Sequence, residues 1–325
     1  MFFSQFSKLT AALLFISIFS SFSFAQDDKD KNKKQKKDNQ PKVRTMTIPI
    51  SIFTKQELKE NQAGEFIEAG EIIVKEDNEQ QTILSIRSVT NTPLHIAVLI
   101  QDNLSANINL QLGEIRNFVK KLPPDSRVMV AYLRSGTTQI AHKFSTDLEK
   151  AAGSIRAVVG SSSVAPNSPY EGVEEVLARF DALPTGRRAI LLVSDGLDLT
   201  NPSPTQSLEL DGAILKAQRR GVAVYSFYSS ATLTENANSS VILNAQSSLN
   251  RLSEETGGRA FFQGTISPIS LQPFFRDLNL ALNRQFALTY LSTHLKKGYH
   301  KVQVLSTNPE IKIEHPKGYY YRGNN

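Results

Sequence analysis

Three carboxylates stand where an apolar run breaks into polar residues. Asp102 lies in Gln101-Asp102-Asn103-Leu104-Ser105, after IAVLI at 96–100; Asp195 and Asp198 lie in Ser194-Asp195-Gly196-Leu197-Asp198, after AILLV at 189–193. A buried strand that opens into oxygen-bearing side chains can present hard donors to a cation, or a base and its partner to a hydrolysable bond. Other chemistry is poorly represented. The chain has no cysteine, which excludes disulfides, thiolate metal sites, a cysteine nucleophile and lipid attachment through cysteine. His95, His142, His294, His300 and His315 show neither the i,i+4 nor the His-Glu pairing of a zinc site. No Gly-x-Ser-x-Gly elbow or Walker loop occurs.

The elements that must position these residues read as alternating strands and helices from Leu94 onward. IAVLI is continuously apolar, as expected of a parallel strand covered on both faces. Ile108, Leu112, Ile115, Val119 and Leu122 then recur at helical spacing until Pro123-Pro124. RVMVAYL at 127–133 predicts the next strand, with TQIAHKF as its partner across Ser135-Gly136-Thr137. LEKAAGSIRAVV predicts a helix, and Tyr170, Val173, Val176, Leu177 and Phe180 line another. RRAILLVSDG repeats the strand-into-loop theme, LELDGAILKAQRRG is a helix closed by Gly221, and VAVYSFY is a strand. Helices are expected at 244–256 and 268–286, with RAFF between them as a short strand and Phe274 and Phe275 as core. The fold class is therefore α/β, a Rossmann-like doubly wound, mostly parallel sheet. Right-handed crossovers place the loops at 101–105 and 195–198 on one edge of it.

Strand-like segments flank this body. TMTIPISIF, GEIIVKED and QQTILSIRSV precede it, with a polar helix or turn at 55–69 and EDNEQQ as a hairpin turn. RQFALTYLS, YHKVQVLS and IKIEHPKGYYYR follow it as three strands, expected to pack with the first set. Of Tyr319, Tyr320 and Tyr321, one should face inward.

Gln101–Ser105, SSSVAPNSPYEG at 161–172 and Ser194–Asp198 converge on the expected edge, and there the chain resembles a von Willebrand factor type A (VWA) domain over about residues 94–290. The leading β segment, RRAILLVSDGLD, RRGVAVYSFY and the closing KGYYYR resemble exported, acidobacterial-type VWA-related proteins. The resemblance implies a site for Mg²⁺ or Mn²⁺ built from an Asp-x-Ser-x-Ser loop, a Thr and a later Asp, completed by a partner's carboxylate. By strand register Gln101 falls where the first Asp belongs, Asn103 replaces the first Ser and Ser105 matches the second. Asn167 is the counterpart of the Thr, and Asp195 matches the last Asp. One anion is thus lost and four of the five positions are neutral, so the resemblance implies a degenerate ion site. Moving the register to use Asp102 would put Leu104 and Ala106 where hydroxyls belong, so Asp102 is expected to point sideways. The alternative is a metal-free polar rim in which Asn103 or Ser105 caps the following helix.

The ends set the compartment. MFFSQFSKLTAALLFISIFSSFSFAQ has one Lys8, an apolar run and a Ser23-Phe24-Ala25 cleavage pattern, so residues 1–25 read as a signal peptide and the protein as exported, periplasmic or extracellular. Residues 26–44 hold eight Lys or Arg against four Asp and read as a disordered linker that could touch an anionic envelope surface. Most of the net charge of +6 lies there, so the body carries no field that argues for nucleic acid. The organisation expected is a β-rich extension at 45–93, a VWA-like domain at 94–285 and a second β extension at 286–325. The function expected is a non-enzymatic interaction module that binds a protein or cell-surface partner, and no small-molecule substrate, through loops 101–107, 161–171 and 195–204. A structural part of an envelope or secretion assembly, and a hydrolase using Asp195 and Asp198, are the alternatives.

Overall fold

The computed structural model describes residues 43–54, 72–134, 137–160, 168–184, 186–200, 207–232, 234 and 237–321. The expected signal peptide, nearly all of the linker, the 55–69 helix or turn, and Asn167 lie outside these residues.

The chain opens with β1 (Arg44–Thr54), β2 (Ile72–Glu76) and β3 (Glu79–Ser88). Asp77 and Asn78, both at positive φ, make the two-residue hairpin between β2 and β3, a backbone conformation these two residue types tolerate best after glycine. β4 (Leu94–Gln101) then starts the α/β half, followed by β5 (Arg127–Arg134), β6 (Thr137–Ser145), β7 (Arg187–Ser194), β8 (Ala223–Tyr228) and β9 (Ala260–Phe261). Their order is β6-β5-β4-β7-β8-β9, with β6 antiparallel at one edge and every other pair parallel. β4 sits at the centre and all eight of its residues are buried, which is why its sequence shows no alternation.

Helices cover both faces. α1 (Leu112–Lys120), α2 (Leu148–Gly153) and later α6 (Gln272–Asn283) pack on one side, with Ile115, Phe118, Val119, Phe275 and Leu278 in one core with Val98 and Leu191. α3 (Pro169–Arg179), α4 (Leu208–Arg220) and α5 (Ser239–Thr256) pack on the other, where Tyr170, Val173, Leu177, Ile214 and Leu249 meet Leu99 and Leu192. Local chemistry fixes the ends. Ser168, Ser207 and Asn238 side chains cap α3, α4 and α5, and Gly221 and Gly257 close α4 and α5 in the left-handed conformation.

Three expected helices change. α5 begins five residues before Asn244, at the Asn238 cap. α6 is shorter than 268–286 because Glu114 takes the backbone N–H of Leu271 at 2.6 Å and sets its start. LEKAAGSIRAVV is helical only to Gly153, because side chains claim the backbone beyond it. Arg116 binds the carbonyl of Ile155, and the Tyr132 hydroxyl accepts from the Arg156 N–H at 2.6 Å and lies 3.0 Å from its carbonyl.

The flanking strands pack together, as expected, and interleave into one antiparallel sheet. With β10 (Gln285–Ser292), β11 (Gly298–Ser306), β12 (Ile311–Glu314) and β13 (Gly318–Tyr321), its order is β12-β1-β10-β3-β2-β11-β13. The last predicted strand is two, separated by His315-Pro316-Lys317, since Pro316 lacks the N–H a ladder needs. Ile48, Ile50, Val74, Leu288, Tyr290 and Val304 make its core, and Tyr319 is the inward tyrosine of the three. This half of the fold is large, so α/β describes only the other half. Arg187 holds the two crossings between them: its guanidinium donates to Thr92 O at 3.1 Å and to Leu282 O at 2.7 Å. Arg259 ties the sheets again through Glu314.

Candidate interaction edge

The carboxyl ends of β4, β7 and β8 meet at one edge, where the crossover rule predicts the site. Gln101, the last residue of β4, turns its carboxamide toward β7. Its Nε2 donates to Asp195 Oδ1 at 3.0 Å, while its Oε1 accepts from Ser194 Oγ at 2.5 Å and from the Asp195 N–H at 3.3 Å. The reverse amide orientation would set two acceptors against each other and two donors against each other, so the backbone N–H fixes it. Asp195 is 2 % exposed, and burial pushes its carboxyl up to about 6 against the opposing hydrogen bonds from Gln101, the Leu197 N–H and Thr234. Gly196 holds φ +72° directly beneath α5, where a Cβ would stand 2.6 Å from the Ala245 carbonyl; only glycine fits.

The other sequence candidates disperse. Ser105 Oγ accepts from the Asn107 N–H at 3.4 Å and caps a 3₁₀ turn at Ala106–Leu110. Asn103 sits at the same edge, with its Oδ1 buried and without a hydrogen-bond partner. Asp102 points sideways, as expected, into a bidentate pair with Arg156 at 2.8 and 3.0 Å; Arg156 in turn lies 4.0 Å over the Tyr132 ring. Asp198 accepts from Thr200 and from Ser207, the cap of α4. Asp102, Asp195 and Asp198, the three carboxylates a hydrolase would draw on, are thus each held by local partners. Among the described residues no group of three or more His, Asp or Glu side chains is placed to hold a metal ion.

Large apolar side chains are exposed at this edge. Leu110 and Ile269 are each 86 % exposed, Val159 67 % and Ile266 64 %. The segments that carry them meet at this edge. Asn109 exchanges hydrogen bonds with the Val158 backbone, Gln111 donates to Pro268 O, and Ser267 Oγ accepts from Ser230 N–H. Leu208 and Leu243, exposed at the starts of α4 and α5, lie on the same edge. Among the described residues of the α/β half, every large apolar side chain classed as exposed stands on this edge. The signal in the sequence was Leu110, which falls between Ile108 and Leu112, off the buried stripe.

No protein-family model matches the chain, and no curated protein matches it. Solved structures similar to it include an aerotolerance-related membrane protein from Bacteroides fragilis, at 12% identity and TM-score 0.42 over 59% of this chain and 99% of that one. The vWF domain of the type V pili tip protein Mfa5 from Porphyromonas gingivalis matches at 11% identity and TM-score 0.40, over 58% and 94%. The PilB minor pilin from Streptococcus sanguinis matches at 13% identity and TM-score 0.40, over 59% and 62%. With the first strand of the body central, an antiparallel strand at one edge and the Gln101–Ser105 and Ser194–Asp198 loops side by side, the α/β half is a Rossmann-like, mostly parallel sheet of the kind that the resemblance to von Willebrand factor A domains implies.

Proposed function

We propose that this chain is an exported, non-enzymatic interaction module that captures a protein partner on the apolar strip of its upper edge, without a metal ion. The observation that carries the reading is the strip Val159–Leu110–Ile269–Ile266. Apolar side chains gathered on one edge, on segments tied to each other by hydrogen bonds, are what a protein interface core requires. Export rests on the signal-like residues 1–25, and the Lys-rich 26–44 would then serve as a spacer.

The metal-independent part rests on the donors. Octahedral Mg²⁺ or Mn²⁺ needs oxygen lone pairs aimed at one point. Both lone pairs of Gln101 Oε1 are engaged within the protein, its N–H group faces the one carboxylate, and Ser105 Oγ serves a backbone N–H. Of the described candidates, Asn103 offers an unpartnered oxygen in its Oδ1. These residues do not fit the ion, and the degenerate site is better read as a hydrogen-bonded closure of the edge.

The test is pull-down from envelope and culture fractions with the mature protein from Gln26, in chelator, beside Leu110→Asp and Ile269→Asp. Capture of the same protein by wild type, in chelator, and its loss in both folded variants is the expected result. Capture that needs Mg²⁺, or that survives both variants, would overturn the reading.

A further inference from the structure

A second surface lies on the side of the α/β half, where α1 and α6 run next to each other and leave a groove of ≈ 610 Å³. Its floor is apolar: Phe118 and Phe275 stack with centroids 4.7 Å apart. Its walls are polar. Asn117 of α1 and Lys121, its C-cap, face Gln272, Arg276, Asn279 and Asn283 of α6.

Three properties of these walls point to one kind of occupant. Gln272, Arg276, Asn279 and Asn283 recur at the three- and four-residue spacing of a single helix face, a stripe about 16 Å long at 1.5 Å per residue. That length matches about five residues of extended chain. The carboxamides of Asn117, Gln272, Asn279 and Asn283 are exposed and carry no hydrogen bond among the described residues, so each can both donate to and accept from a peptide main chain. The charge is one-sided. Lys121 and Arg276 line the groove, and its one carboxylate, Glu114, already accepts from Ser270 Oγ and the Leu271 N–H. Among the described residues Arg276 pairs with its neighbour Asp277, at 3.5 Å, a half-exposed contact of little strength.

We propose that the groove between α1 and α6 binds an extended acidic segment of a partner protein, its main chain held by the carboxamides and its carboxylates by Lys121 and Arg276. The protein's own Lys-rich residues 26–44 carry the wrong sign for this groove. The site is separate from the apolar strip, so either can fail without the other.

The test uses the whole mature chain and a fluorescent nine-residue peptide of alternating Glu and Ala, followed by anisotropy at low and moderate salt. Two variants separate the groove from the basic tail, which both retain: Lys121→Glu with Arg276→Glu, and Asn279→Ala with Asn283→Ala, each checked for native circular dichroism. The charge variant should weaken binding about tenfold or more, and the amide variant several-fold at unchanged net charge. Equal affinity in wild type and both variants would assign the peptide to residues 26–44 and overturn the proposal. So would tighter binding of a Lys-Ala peptide of the same length.

Discussion

Gln101 Nε2 stands 3.0 Å from Asp195 Oδ1 and joins the ends of two neighbouring parallel strands across 94 residues of sequence. An amide N–H group thus faces the carboxylate from the side where the resemblance implied a cation. The pair is buried, so removing one partner leaves the other without compensation. Gln101→Ala should cost about 1–3 kcal/mol in urea denaturation, whereas Mg²⁺, Mn²⁺ or chelator should leave the wild-type midpoint unchanged. A midpoint that rises with millimolar Mg²⁺ would show that the pair opens to admit an ion.

Two buried groups impose opposite pH dependences. The Asp195 carboxyl is raised by burial from 3.8 to about 6, so between those values the folded state holds a proton that the unfolded state has lost, and stability falls as pH rises. His315 is lowered by burial from 6.5 to about 4; its Nε2 accepts the Val304 N–H and its Nδ1 donates to Pro316 O. The unfolded state therefore gains a proton first, and this contribution is lost as pH falls from 6.5 to 4. Each effect is worth roughly 3 kcal/mol across its window. Wild type should show a shallow profile from pH 4 to 6.5. Asp195→Asn should expose the His315 slope, equal wild type near pH 4 and be at least as stable at pH 7.5; a shallow Asp195→Asn profile would contradict the assignment.

Arg187 closes the junction between the sheets by donating to the carbonyls of Thr92 and Leu282, one on each chain crossing. Arg187→Met keeps much of the volume and leaves both carbonyls unpaired. A loss of about 3 kcal/mol is expected, in a single unfolding transition if the sheets unfold together. Two separated transitions in the variant would mean that Arg187 couples two otherwise independent halves.

The Tyr132 hydroxyl bridges the N–H and carbonyl of Arg156 and so fixes the approach of Val159 to the apolar strip. Tyr132→Phe should cost about 1–2 kcal/mol and speed amide hydrogen exchange at Arg156 and Val158. Partner capture should weaken although no strip residue has changed. Unaltered exchange would place the order of this segment elsewhere, in the Arg156–Asp102 pair.

Much of the scaffold was legible because its causes are local. IAVLI and AILLV predict buried parallel strands, Ser207 and Gly221 bound a helix, and the sideways turn of Asp102 followed from the hydroxyl pattern around it. The segment after Gly153 was misread because its helical pattern is overridden by Arg116 and Tyr132, residues distant in sequence whose side chains bind its backbone. The apolar strip was missed for the same kind of reason: Val159, Leu110 and Ile269 become neighbours only through Asn109–Val158 and Gln111–Pro268.

By itself the sequence determined the alternation of strands and helices, the burial of the first parallel strand on both faces and the edge where the loops meet. These follow from periodicity, capping and residue type, which act within a few residues. Tertiary structure alone decided that the flanking strands interleave into one antiparallel sheet, and that Gln101 satisfies Asp195 by hydrogen bonding. It also decided that exposed aliphatic residues from three loops form a single surface. Each of these depends on strand register and on side chains meeting across long stretches of chain, and a linear pattern does not encode which of several compatible partners a buried polar group will find.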